Sequence, residues 1–228
     1  MPETPWSEVD RYFTGLLHQP DAALDAAVAD SEAAGLPAIQ VSPAQGKLLH
    51  LIARIRGARE ILEIGTLGGY STIWLARALP PGGRLITLEI DPRHAAVAGA
   101  NLARAGLTGI VEQRLGPAAE SLAQISGEGR GPFDLIFIDA DKEGMPGYFA
   151  WALRLSRAGT VVIVDNVARK GAVIDAASAD PAVRGARRFS EMLSAEPRVS
   201  ATVVQTVGVK GYDGFAILVV NGEPGTAP

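Results

Sequence analysis

The chain has 228 residues, 47% hydrophobic and 20% charged, with a formal net charge of -4 and no cysteine. That length suits one generous α/β domain and is short for two, and the acidic balance with scattered arginines supplies no phosphate-neutralising stripe for a nucleic acid. The missing cysteines exclude disulfides, thiolate zinc sites and thiol catalysis, and they fit a reducing, cytoplasmic compartment.

The opening segment MPETPWSEVDRYF lacks a signal-peptide pattern, and no later run approaches a membrane span. Trp6, Val9, Phe13, Leu16 and Leu17 recur at helical spacing, and an Ala-rich helix follows to about Ala34, before Gly35. A third helix is predicted from Ser42 as N-cap and Pro43 as first helical residue, with Leu48, Leu49, Ile52 and Ile55 facing inward. These helices form an N-terminal extension over residues 1–57.

From residue 58 to 220 the pattern changes to strand-length apolar runs alternating with helices, which argues for parallel strands joined by crossover helices. ILEI, LITLE, LIFI and VVIV are apolar almost throughout, as strands covered on both faces should be; GIVEQRL reads as a further strand. YSTIWLARAL, PRHAAVAGANLARAGL, PAAESLAQI, MPGYFAWALRLS and Pro181 to Ala195 read as helices. VSATVVQTV and GFAILVV form an antiparallel hairpin around GVKGYDG. The expected fold is therefore α/β: a doubly wound, mostly parallel seven-stranded sheet with an antiparallel C-terminal hairpin and N-terminal helices, one domain over 1–228. The one loose tail expected is NGEPGTAP.

In such a sheet, ligands sit beyond the carboxyl ends of the strands. The turn LEIGTLGGYST carries Gly65, Gly68 and Gly69, but Leu67 and Tyr70 stand where a dinucleotide fingerprint needs glycine. Glu89, after the second strand, is placed to accept hydrogen bonds from ribose hydroxyls. Glu63 repels phosphate yet suits an ammonium group, directly or through water, and Ser71 is a candidate partner for a ligand carboxylate.

Asp139 ends the fourth strand and Asp165-Asn166 the fifth. On neighbouring strands these oxygen donors suit a hard cation such as magnesium and suit zinc poorly. A chelated hydroxyl would become more acidic, with Lys142 placed to take its proton. Singly, each residue has a plainer role as turn glycine, loop cap or solvated lysine; it is the joint pattern that favours a site. His18, His50 and His94 lack metal-ligand spacing and are assigned no catalytic role. Trp74 and Trp151 lie in helical core patterns, while Trp6 and Tyr212 lie in segments able to cover the pocket; core packing is the default role of all four.

LEIGTLGGYST, FDLIFIDADK, VVIVDN and KGYDGFAI together resemble the short, cation-dependent O-methyltransferases related to catechol and caffeoyl-coenzyme A O-methyltransferases, in particular bacterial members. The likeness runs from about Ile39 to Val220. It implies S-adenosylmethionine as cofactor, a divalent cation (Mg2+, with Ca2+ or Mn2+ as alternatives), a phenolic, catechol-like acceptor methylated on a hydroxyl, and a homodimer. It implies contacts to the cofactor from Val41, Glu63, Gly65, Ser71, Glu89, Ala118 and Asp139, metal ligands at Asp139, Asp165 and Asn166, and a catalytic base at Lys142. VARKGAVID departs from the Trp-containing loop of plant members, and EGMPGYF follows Lys142, so the acceptor does not carry over from plant or animal relatives. Competing readings are a nicotinamide-dependent oxidoreductase, a non-catalytic cofactor-binding protein, and a metal-independent methyltransferase acting on RNA or protein.

Overall fold

The computed structural model describes residues 5–222. The loose tail expected from Asn221 onward lies largely outside them. Three helices come first: α1 (Pro5–Leu17), α2 (Ala22–Ala33) and α3 (Pro43–Arg56). The order is then β1 (Glu60–Ile64), α4 (Tyr70–Ala76), β2 (Arg84–Glu89), α5 (Pro92–Arg104), β3 (Val111–Leu115), α6 (Ala118–Gly127), β4 (Leu135–Ile138), α7 (Met145–Arg154) and β5 (Val161–Val164). A 3-10 helix (Arg169–Ile174), α8 (Pro181–Ala195), β6 (Val199–Gly208) and β7 (Gly211–Val220) complete the fold.

The seven strands lie in the order β3-β2-β1-β4-β5-β7-β6, parallel from β3 to β5, with β7 antiparallel to both β5 and β6. The chain direction across the sheet reverses between β1 and β4, which opens a crevice at their carboxyl ends. Alternation of side chains divides each buried strand between two cores. Leu62, Ile64, Ile136 and Ile138 pack with Phe149 and Phe189 on the α7–α8 side. Ile61, Leu135 and Phe137 pack with Leu24, Leu49 and Ile73 on the other. Glu63 shares the second face, beneath α4.

Asp134 ties the amino ends of β1 and β4 together: its carboxylate accepts the backbone N–H of Arg59 at 2.8 Å and of Glu60 at 3.1 Å, and pairs with Arg157.

Ser42 caps α3 by accepting the Gln45 backbone N–H at 3.2 Å, with Pro43 in the first turn. The inward stripe expected on α3 is only half right. Leu49 is buried and Ile52 half-buried, but Leu48 is exposed and Ile55 is 86% exposed. Gly46 is buried against the Trp74 ring, so the packed face of α3 turns on Gly46, Leu49 and Ala53.

The hairpin turn is also tighter than GVKGYDG suggested. Gly208 pairs with Gly211, so only Val209 and Lys210 are left to turn the chain, with Gly211 at φ +86°. The loop VARKGAVID carries the 3-10 helix, which no periodic pattern announced.

Candidate active site

The crevice is a cavity of about 450 Å³. Its wall includes Val41, Gly65, Ser71, Glu89, Ala118 and Asp139, and also Lys142 and Asn166. Glu63 and Asp165 do not reach the wall; they stand directly behind it.

Gly65 leaves β1 at φ +104°, a conformation that L side chains avoid, and an ideal Cβ there would fall 2.1 Å from the Asp139 carbonyl oxygen. Glycine is therefore what lets the first turn lie against the end of β4.

Glu63 is fully buried. Its Oε1 accepts from Ser71 Oγ at 2.6 Å, and its Oε2 accepts from the Thr72 and Thr87 hydroxyls. It thus fixes the Ser71 hydroxyl at the wall and offers no oxygen directly to the cavity. Burial pushes its carboxyl up to about 7; the three hydroxyls pull it down and Asp139 raises it further.

In an unfolded chain that carboxyl would titrate near 4.5, so between about 4.5 and 7 the folded state binds more protons. The Glu63 contribution to stability is thus present below 4.5 and lost as pH rises through 7. Thermal melts of the cofactor-free protein should fall over that interval relative to Glu63→Gln, by roughly 3 kcal/mol at full extent. Parallel pH profiles for the two proteins would remove the assignment.

Glu89, at the end of β2, has Oε2 held by the Leu67 N–H at 2.7 Å and Oε1 by the Ile90 and Asp91 N–H groups at 2.9 and 3.0 Å. Three backbone donors fix the carboxylate at the cavity while leaving lone pairs for a ligand.

The β4–β5 register pairs Ile138 with Val164, so Asp139 and Asp165 emerge side by side. Asp165 is buried, with Oδ1 accepting its neighbour Asn166 N–H at 2.8 Å and Oδ2 accepting Gln45 Nε2 at 2.6 Å. Burial, and then the charge of Asp139, push the Asp165 carboxyl well above the usual carboxylate range. Asn166 sits at φ +57° and lines the cavity. Lys142 Nζ donates to Asp139 Oδ1 at 2.7 Å, and its side chain is 10% exposed.

Two expectations need correction. Trp6 and Tyr212 neither pack in the core nor line the cavity: Trp6 lies exposed on α1, and Tyr212 donates to Gln205 on the hairpin surface. Trp74, expected in the core, is only half-buried, and its Nε1 has no partner among the described residues.

Sequence reasoning also missed several wall residues. His94 reaches the cavity from the first turn of α5, with Nδ1 3.6 Å from Glu89 Oε1. The helix-opening Asp91-Pro92 directly after β2 was the signal that could have placed it. Tyr148 lines the wall and donates to Asp141; burial and that carboxylate raise its hydroxyl pKa. Arg169, from the 3-10 helix, lines it too.

The family pattern described as O-methyltransferase matches residues 22–217. A catechol O-methyltransferase of Niastella koreensis is 58% identical over 215 residues, covering 94% of this chain and 97% of its own. The crystal structure of an O-methyltransferase from Bacillus cereus in complex with SAH, 58% identical, superposes with a TM-score of 0.93 over 94% of this chain and 98% of its own. The O-methyltransferase TomG from Streptomyces achromogenes, solved with SAM and involved in tomaymycin synthesis, is 52% identical, with a TM-score of 0.94 over 97% of this chain and 100% of its own. With family pattern, sequence identity and fold in agreement over nearly the whole length, this chain belongs to the S-adenosylmethionine-dependent O-methyltransferase family.

Proposed function

We propose that the protein methylates one hydroxyl of a small, catechol-like aromatic acceptor with the help of a divalent cation, Mg2+ first, held by Asp139, Asp165 and Asn166. The observation that carries this reading is the β4–β5 register, which brings Asp139 on the cavity wall next to Asp165 just behind it, with Asn166 following on the wall. The name of the Niastella relative supports the acceptor class.

Among the described residues no three His, Cys, Asp or Glu side chains cluster as a metal set. The donors here are two carboxylates and one amide, a hard-oxygen set that suits a cation completing its shell with water or acceptor oxygens. Burial, and then the charge of Asp139, raise Asp165, and a bound cation would offset both.

When bound, the cation supplies the charge that acidifies a chelated hydroxyl. Asp139 would be one of the residues holding the cation, and Lys142 Nζ, after giving up its own proton to solvent, would be the atom that takes the acceptor's proton. Glu89 receives the ribose hydroxyls, Gly65 and Ala118 let the cofactor lie close to backbone, and Val41 and Ser71 bound its amino-acid end. Glu63 acts through Ser71.

After dialysis against a chelator, methyl transfer to caffeic acid should fall at least about 100-fold and return with Mg2+. Transfer that ignores the chelator sinks the metal reading; failure with every vicinal diol sinks the acceptor reading.

We read residues 1–228 as one methyltransferase unit, with 1–57 as its N-terminal extension and 58–220 as its core. Homodimerisation is supported by α1, which buries none of its residues and exposes Trp6, Tyr12, Phe13 and Leu17. Sedimentation should give twice the chain mass, and a monomer would remove that reading. Among the described residues no helix is long and apolar enough to cross a membrane. The absence of cysteine supports a cytoplasmic location.

A further inference from the structure

The loop that follows β5 is held in an unusual backbone conformation. Asn166, Arg169 and Lys170 have φ of +57°, +51° and +54°, all in the left-handed region. Residues held this way cluster at ligand clamps, where the surrounding structure over-determines them. Here the restraints are visible. The Arg169 N–H donates to Asp213 Oδ1 at 2.9 Å, and Arg187 Nη1 donates to the Val173 carbonyl at 2.6 Å. Together they hold the backbone of the 3-10 helix near both ends.

That side chain lines the cavity beside Asn166, and its Nε is buried with no hydrogen-bond partner among the described residues. Asp213 faces it as a long ion pair, with Oδ2 4.0 Å from Nη1 and beyond hydrogen-bond reach, while Oδ1 accepts two backbone N–H groups. Lys142, the other cation beside Asn166, is engaged by Asp139 at 2.7 Å. Arg169 is thus a half-buried cation, loosely paired with Asp213, whose buried Nε still lacks a partner among the described residues, and leaving such a donor unpaired is unfavourable unless a ligand completes it.

We propose that the acceptor carries a carboxylate, and that Arg169 binds it while the vicinal hydroxyls face Asp139, Asp165 and Asn166. This inference rests on the catechol reading above and narrows it to dihydroxylated aromatic acids. The guanidinium fork suits a carboxylate, and a site already ordered before binding loses little freedom on doing so.

The test compares 3,4-dihydroxybenzoate with catechol as acceptors for the unsubstituted protein, Arg169→Met and Arg169→Lys. The unsubstituted protein should favour the acid in kcat/KM by about 10- to 100-fold, the range expected for a charge-assisted contact. Arg169→Met should abolish that preference through KM for the acid while changing catechol less than about threefold. Arg169→Lys should restore part of it.

A parallel loss on both acceptors would assign Arg169 to ring stacking or loop support and overturn the proposal. So would a weakened affinity for S-adenosylmethionine in Arg169→Met, which would make the cofactor's own carboxylate its partner. If the unsubstituted protein methylates neither acceptor, the catechol reading falls. Calorimetric binding then decides Arg169 alone: selective binding of the acid, lost in Arg169→Met, supports the carboxylate site, and equal binding of both compounds removes it.

Discussion

The Gly65→Ala variant is expected to lose measurable affinity for S-adenosylmethionine and to melt well below the unsubstituted protein. Two independent penalties coincide at this residue. Its φ of +104° is outside the range an alanine adopts without strain, and the added Cβ would fall 2.1 Å from the Asp139 carbonyl oxygen and 2.8 Å from its carbonyl carbon. Those atoms are backbone at the end of a buried strand, so no side chain can swing aside. The strain and the overpacking together come to roughly 2–5 kcal/mol, which at this chain length lowers the melting temperature by about 10 °C.

The binding loss has a geometric cause. Relieving the clash means separating the ends of β1 and β4, where the Asp139 N–H donates to the Ile64 carbonyl at 2.9 Å. That movement carries Asp139 and the glycine turn apart. Gly69→Ala is a useful contrast, because its Cβ meets Ala98 only at 3.5 Å and leaves the φ of +84° as the main penalty. Calorimetric titration and a thermal melt on both variants separate the effects. A Gly65→Ala protein that binds cofactor normally would contradict the assignment of this turn.

Asp165→Ala should behave in the opposite way, with cofactor affinity within a few-fold of normal and metal-stimulated methyl transfer reduced about 1000-fold, the scale of several kcal/mol of charge stabilisation. Asp165 stands behind the cavity wall, so its removal leaves the cofactor contacts in place. What it does remove is one of two adjacent carboxylates, together with the acceptor for Gln45 Nε2 at 2.6 Å. A variant that stays active and chelator-sensitive would show that the cation sits elsewhere; one that loses cofactor affinity equally would show that Asp165 supports the whole crevice.

Most of the fold could be read in the sequence because its signals are local. The near-continuous apolar runs of β1, β2, β4 and β5 reflect strands buried on both faces, and Ser42-Pro43 announces α3 by capping chemistry alone. Periodicity could not say which side of α3 would be covered, since its apolar residues are too many for one stripe. Leu48 and Ile55 consequently lie outward.

The candidate site divides in the same way. Strand-end residues such as Glu89, Asp139 and Asp165 are found from topology, because the carboxyl edge of the sheet is where ligands bind. Gln45 is not: the sequence Ser42-Pro43-Ala44-Gln45 reads as a capping box, yet the Gln45 side chain leaves the cap and reaches Asp165, 120 positions away. Arg169 was equally hidden, because its direction depends on a left-handed backbone that no residue type in VARKGAVID demands. Glu63, expected to serve an ammonium group directly or through water, has three hydroxyls as its direct partners, because the alternation of β1 turns it under α4.

The most direct measurement is titration of Mn2+ into the protein saturated with S-adenosylmethionine, followed by electron paramagnetic resonance, for the unsubstituted chain and for Asp165→Ala. The expected result is one bound Mn2+ per unsubstituted chain and none in the variant, with cofactor still bound to both. Equal Mn2+ binding in the two proteins, or none in either, would contradict a cation site formed by Asp139, Asp165 and Asn166.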